Sequence, residues 1–156
     1  MTRVAERADG IVIALGQRRS ASGAGNDSVA FRIHPDGRVD EFLGRGWLLE
    51  LAWLAPDRTV AALVKSDFLL LLDAGSGSIT PLSSAAEPRA PTSLVFSPDA
   101  RAIAVASFRT LTLWDLHSRQ ALARVAPGDP LCRPVFSPDG RRIAVGTRDR
   151  VFVFRR

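Results

Sequence analysis

The sequence predicts an all-β fold made of four consecutive units of about 40 residues, and three observations carry that prediction. First, VFSPDARAIAVA at 95–106 returns 40 residues later as VFSPDGRRIAVG at 135–146. Across 94–106 and 134–146, nine of thirteen positions are identical without a gap, and self-similarity at a fixed period of roughly 20–50 residues marks a repeat architecture. Second, the period continues backwards: Pro56 lies 42 residues before Pro98, which lies 40 before Pro138. Third, the runs between these turns are short and rich in β-branched and aromatic residues, the composition of strands. The chain divides near 1–47, 48–91, 92–131 and 132–156.

In unit one, only RVAER (3–7) precedes the first turn. RADGIVIALG at 7–16 then matches SPDGRRIAVG at 137–146, with Asp9, Gly10, Ile13, Ala14 and Gly16 under Asp139, Gly140, Ile143, Ala144 and Gly146. Gln17 to Asp27 is expected as a long loop insertion, IHPDGR as a hairpin turn and RVDEF (38–42) as the fourth strand. Unit two places strands near 51–55, within VAALV, at FLLLLD (68–73) and at SITPL (78–82). In unit three, a strand at 92–96 runs into Ser97-Pro98-Asp99. Proline presets the first central φ of a type I turn there, and aspartate can accept from nearby amides. IAVA (103–106), TLTLWDL (110–116) and QALARV (120–125) follow. Unit four repeats this with 132–136, IAVG (143–146) and RVFVFRR (150–156), Gly140 relaxing its turn. SFRT (107–110), TRDR (147–150) and KSDF (65–68) align, which places Asp149 and Asp67 in equivalent hairpin turns. Phe96 and Phe136 occupy one repeat position and Trp114 and Phe154 another. Both pairs are expected to pack between units, with Phe136→Ala costing roughly 3 to 5 kcal/mol if that ring is fully buried.

Four antiparallel strands per unit of about 40 residues is the make-up of a β-propeller blade. The Ser-Pro-Asp-Gly turn, Ile-Ala-Val-Gly, a hairpin aspartate, and Trp114-Asp115 closing a third strand resemble the WD-repeat β-propellers across essentially the whole chain. Ser-Pro-Asp-Gly is also shared with related propeller repeats of bacterial envelope proteins. The resemblance implies about four blades and a scaffold for protein–protein contacts. It departs from the family in lacking the Gly-His pair and a complete His, Ser or Thr, Asp and Trp network. Unit three has Ser107 and Trp114 but Arg109 in place of Asp, and unit four has Thr147 and Asp149 but Phe154 in place of Trp. Packing is therefore expected to hold these units more than polar bracing does.

Three and three-quarter blades make about half a ring, and an open arc would expose faces and a strand edge that invite pairing. Assembly with another propeller half is expected, most simply a homodimer of two arcs making a ring of about eight blades, or else a half on another polypeptide; the alternative is closure as four blades within one chain, with residues 1–8 beside 150–156.

The net charge is +5, with Lys65 the lone lysine among 21 basic residues. The arginines are scattered through turns and outward strand positions, tyrosine is absent and most phenylalanines fall on core positions, so specific nucleic-acid binding is not expected. The single cysteine, Cys132, is expected to be a buried residue of an inner strand with no redox role. The apolar run IVIAL is too short for a signal sequence, and no stretch approaches the roughly 18 residues of a membrane span, which points to a soluble protein of the bacterial cytoplasm.

Catalytic chemistry finds no footing. His34 and His117 stand at hairpin turns without cysteine or a second histidine at metal-ligand spacing, and His34 is expected in solvent. No nucleophile elbow or phosphate loop occurs, SASGAGND (20–27) lacks the Gly-Lys-Ser/Thr ending, and Asp9, Asp57, Asp99 and Asp139 recur as turn residues. Neither a metal nor a cofactor is expected. The favoured function is a non-catalytic interaction scaffold; the alternative is a propeller with a small-ligand or enzymatic site in its central channel. For the scaffold, the candidate partner-binding residues are Arg18 and Arg19 in the insertion, and Lys65, Arg109 and Arg148 in the polar breaks, because binding residues concentrate on loops carried by a rigid frame.

Overall fold

The Ser-Pro-Asp turn forms twice by the same bonds. The Ser97 hydroxyl donates to Asp99 Oδ1 and accepts from the Ala102 amide at 2.9 Å, while the Arg101 amide donates to Asp99 Oδ1 at 3.2 Å. Ser137, Asp139, Arg141 and Arg142 repeat the pattern, with amide bonds of 3.0 Å in both places. Each turn ends in the left-handed region, at Ala100 (φ 56°) and at Gly140 (φ 69°). A Cβ on Gly140 would meet nothing nearer than Pro98 Cδ at 3.6 Å, so backbone strain and not crowding favours glycine there. Ala100→Gly is expected to raise stability by about 0.5–1 kcal/mol and Gly140→Ala to lower it by about 1 kcal/mol in denaturant titration.

These turns contribute to the protein's acid sensitivity. The Ser97 hydroxyl, then the Arg101 amide and Arg156, hold Asp99 down at about 2 against desolvation, and Asp139 is lowered chiefly by Ser137. A carboxyl depressed in the folded state stabilises above its unfolded value of 3.8, and that contribution is lost as pH falls towards 2. Denaturant midpoints should therefore fall between pH 4 and pH 2, less steeply in Asp99→Asn. With nearly half of the Asp99 side chain in water, the single-site difference should stay under about 1 kcal/mol.

The computed structural model describes residues 3–6, 9–19, 26–42, 48–53, 59–64, 68–73, 75–82 and 91–156. Among them are strands in four antiparallel sheets and no helix, hence no helix long and apolar enough to cross a membrane. The first sheet holds β1 (Arg3–Glu6), β2 (Val12–Arg19), β3 (Asn26–Ile33) and β4 (Val39–Phe42). The second holds β5 (Leu48–Trp53), β6 (Thr59–Val64), β7 (Phe68–Asp73) and β8 (Ile79–Pro81). The third holds β9 (Pro91–Phe96), β10 (Ala102–Ser107), β11 (Leu111–Asp115) and β12 (Ala121–Val125), and the fourth holds β13 (Val135–Phe136), β14 (Arg142–Gly146) and β15 (Val151–Arg155). Strands follow one another in sequence order within each sheet, and the first strands of successive sheets approach each other: β1 with β5, β5 with β9, β9 with β13.

The third sheet is covered on both faces, and its sequence explains how. In β10 every residue is buried, and alanine alternates with Ile103 and Val105. Ile103 stands opposite both Trp114 and Phe96, so the large residues share one face. With Leu94 and Val105 they pack on Leu69 and Leu82 of the second sheet and its flank. Ala102, Ala104 and Ala106 share the other face with Leu111 and Leu113, and there the large side of the fourth sheet seats itself: Ile143 and Val145, bordered by Phe136, Phe152 and Phe154. A smooth alanine side lets a bulky side approach closely, so this interface pairs small against large.

Several expectations change. Phe136 packs between sheets as expected but is only half-buried, at the border of the contact with the third sheet. Cys132 is exposed and precedes β13; its amide bonds the Gly146 carbonyl at 2.7 Å, but nothing covers that side. The expected Gln17–Asp27 loop is partly strand, since β2 and β3 continue pairing to Arg19 and Asn26. The N-terminal strand β1 pairs with β2 in its own sheet instead of lying beside residues 150–156. Ser107 Oγ and Trp114 Nε1 are buried without a hydrogen-bond partner among the described residues.

Candidate interaction surface

The uncovered face of the fourth sheet is built from the register of β13, β14 and β15. Ala144 stands opposite both Val135 and Val153, Gly146 opposite Val151, and Arg142 opposite Arg155, so these residues share one face. Val135, Val151 and Val153 are 53%, 71% and 61% exposed. The repeat counterparts of Val151 and Val153 are not: Leu111 and Leu113 are 3% and 6% exposed beneath the fourth sheet, and Leu69, aligned with Val151, is fully buried beneath the third, while Val95, aligned with Val135, is partly buried. Along β14 burial alternates, Ile143 and Val145 inside, Arg142 exposed and Ala144 half-covered, whereas the near-identical β10 is buried throughout. The same residue types thus build a seat that is filled twice and open once.

Beside this face the hairpin places charge. The doublets Arg141-Arg142 and Arg155-Arg156 meet at one end of β14 and β15, where the Arg156 amide donates to the Arg141 carbonyl at 2.9 Å. Arg156 also reaches back to Asp99 of the third sheet at 2.8 Å, tying the two sheets' first turns together.

The arginines expected to contact a partner are dispersed along equivalent connections. Arg18 and Arg19 stand on β2, Arg19 exposed; Arg109 and Arg148 are exposed in the β10–β11 and β14–β15 turns of adjacent packed sheets. Lys65 lies outside the described residues. Arg109 stacks over Phe108, itself half in water, at 5.4 Å from the ring centre. Among the described residues, no structural feature gathers Arg19, Arg109 and Arg148 into one site. The valines and the Arg142–Arg155 pair escaped sequence reasoning, although aligning Val151 and Val153 with Leu111 and Leu113 contains the signal.

His34 is not a solvated turn residue. Its Nε2 lies 2.7 Å from Asp40 Oδ2, Arg32 bonds the same carboxylate at 2.7 Å, and Arg32 also donates to the Gly75 carbonyl at 2.8 Å. His34 first and Arg32 next hold Asp40 down at about 2. This cluster braces the β3–β4 hairpin against the second sheet, and among the described residues no group of three potential metal ligands gathers. Against protein-family models and curated proteins the chain has no match, so its function rests on these residues.

Proposed function

We propose that the chain is a non-catalytic interaction scaffold of propeller blades that associates through the uncovered face of its fourth sheet. The observation carrying this reading is the exposure of Val151 and Val153, with Val135 beside them, where the counterparts Leu111 and Leu113 are buried beneath a following sheet. Contiguous exposed apolar surface of this kind marks association sites. The consecutive sheets with neighbouring first strands also support the blade reading. What fits the seat is another sheet of the same kind, presenting an Ile, Val and aromatic face, and a second copy of the chain is its simplest source. Size-exclusion chromatography with light scattering tests this on the full chain. The wild type should associate with concentration, and Val151→Glu/Val153→Glu should give a folded monomer, because carboxylates would be desolvated in the contact. A wild type that stays monomeric at all concentrations would sink the self-association reading.

A further inference from the structure

Beyond partner docking, we infer that the arginines meeting across the β14–β15 hairpin form a binding site for a phosphate group. A cleft of about 410 Å³ at this end of the fourth sheet is lined by Asp139, Arg141, Arg142, Arg155 and Arg156, a volume within the range of roughly 300–1,000 Å³ typical of small-molecule sites. Its charge is one-sided. Arg156 is engaged by Asp99, and Asp139 commits Oδ1 to Ser137 and the Arg141 amide. Among the described residues, Arg141, Arg142 and Arg155 make no salt bridge within 4 Å, although Arg141 and Arg142 feel Asp139 through space.

The repeat makes this arrangement informative. Where Arg142 faces Arg155, the third sheet sets Ala102 against Asp115 and the second sets Thr59 against Asp73. An acidic strand end has been exchanged for a second cation directly opposite the first. Like charges in directly opposed strand positions destabilise a sheet, and a dianion between them converts that repulsion into attraction. Guanidinium forks suit the purpose because two can each give parallel N–H bonds to one phosphate. Nucleic acid is the weaker fit: the neighbouring Phe152 and Phe154 pack inward, leaving no exposed ring among the described residues lining the cleft for a base to stack on.

The test uses the full chain, with pyrophosphate and a neutral phosphoserine hexapeptide as probes and chloride at matched ionic strength as reference. Pyrophosphate or the peptide should raise the thermal midpoint by about 4 °C near saturation, and whichever binds more tightly by calorimetry identifies the source of the phosphate. Arg155→Asp restores the acid found in the two sister sheets. It should unfold at a higher temperature than wild type in chloride, yet bind the better probe at least about tenfold more weakly. Arg142→Gln should lose binding similarly, while Arg148→Gln in the far turn should keep it. This outcome is independent of association, since Val151→Glu/Val153→Glu should still bind. The inference is overturned if neither probe stabilises beyond chloride, or if Arg148→Gln weakens binding as much as Arg155→Asp, which would indicate diffuse attraction by a basic surface.

Discussion

Phe96→Ala is expected to cost about 3–5 kcal/mol, whereas Phe136→Ala at the identical repeat position should cost about 1–2 kcal/mol. Phe96 is buried among Leu69, Leu82, Leu94, Ile103 and Trp114, so truncation leaves a cavity walled by two sheets that cannot both collapse into it. Phe136 borders the next interface from a sheet with one open face, and part of its ring already meets water. Since domains are stable by only about 5–15 kcal/mol, the first variant should unfold early in denaturant and the second remain comfortably folded. Equal losses would show that the Phe136 ring is as enclosed in solution as that of Phe96, against its place at the border of the contact with the third sheet.

Ala104→Leu should destabilise by about 1–3 kcal/mol or more, and Ala144→Leu by less than about 0.5 kcal/mol. Ala104 is fully buried on the face where Ile143 and Val145 seat, and three added carbons would wedge the third and fourth sheets apart. Ala144 lies between Val135 and Val153 on the uncovered face, where a larger side chain can lie along the surface. Thermal midpoints of the two variants at low concentration decide the matter.

The strands and turns were legible because their determinants are local. Ser97, Pro98 and Asp99 specify their turn with their own side chains, and the Ile-Ala-Val alternation assigns the faces of β10 and β14. What escaped depends on neighbours. Nothing within RPVF distinguishes a covered first strand from an uncovered one, so Cys132 read as core and is exposed. Arg18 and Arg19 read as loop because polar residues near glycines suggest a turn, yet backbone pairing with Asp27 and Asn26 extends the hairpin regardless of side chain. His34 read as solvated because Arg32 and Asp40, its partners, belong to the strands on either side of its turn. The arginine cleft needs a register that neither doublet reveals alone: only pairing Ile143 with Phe154 brings Arg142 opposite Arg155.

The small-against-large interface between the third and fourth sheets is directional, with a bulky front resting on an alanine back. Such a contact never satisfies itself, because whatever docks with its front brings a back of its own. Stacking of this type stops only by bending round until the last back meets the first front, or by meeting a partner whose far side is polar. If copies of the chain fill one another's open seat as proposed, the curvature between successive sheets, not the strength of any one contact, decides between closed circles and open fibrils.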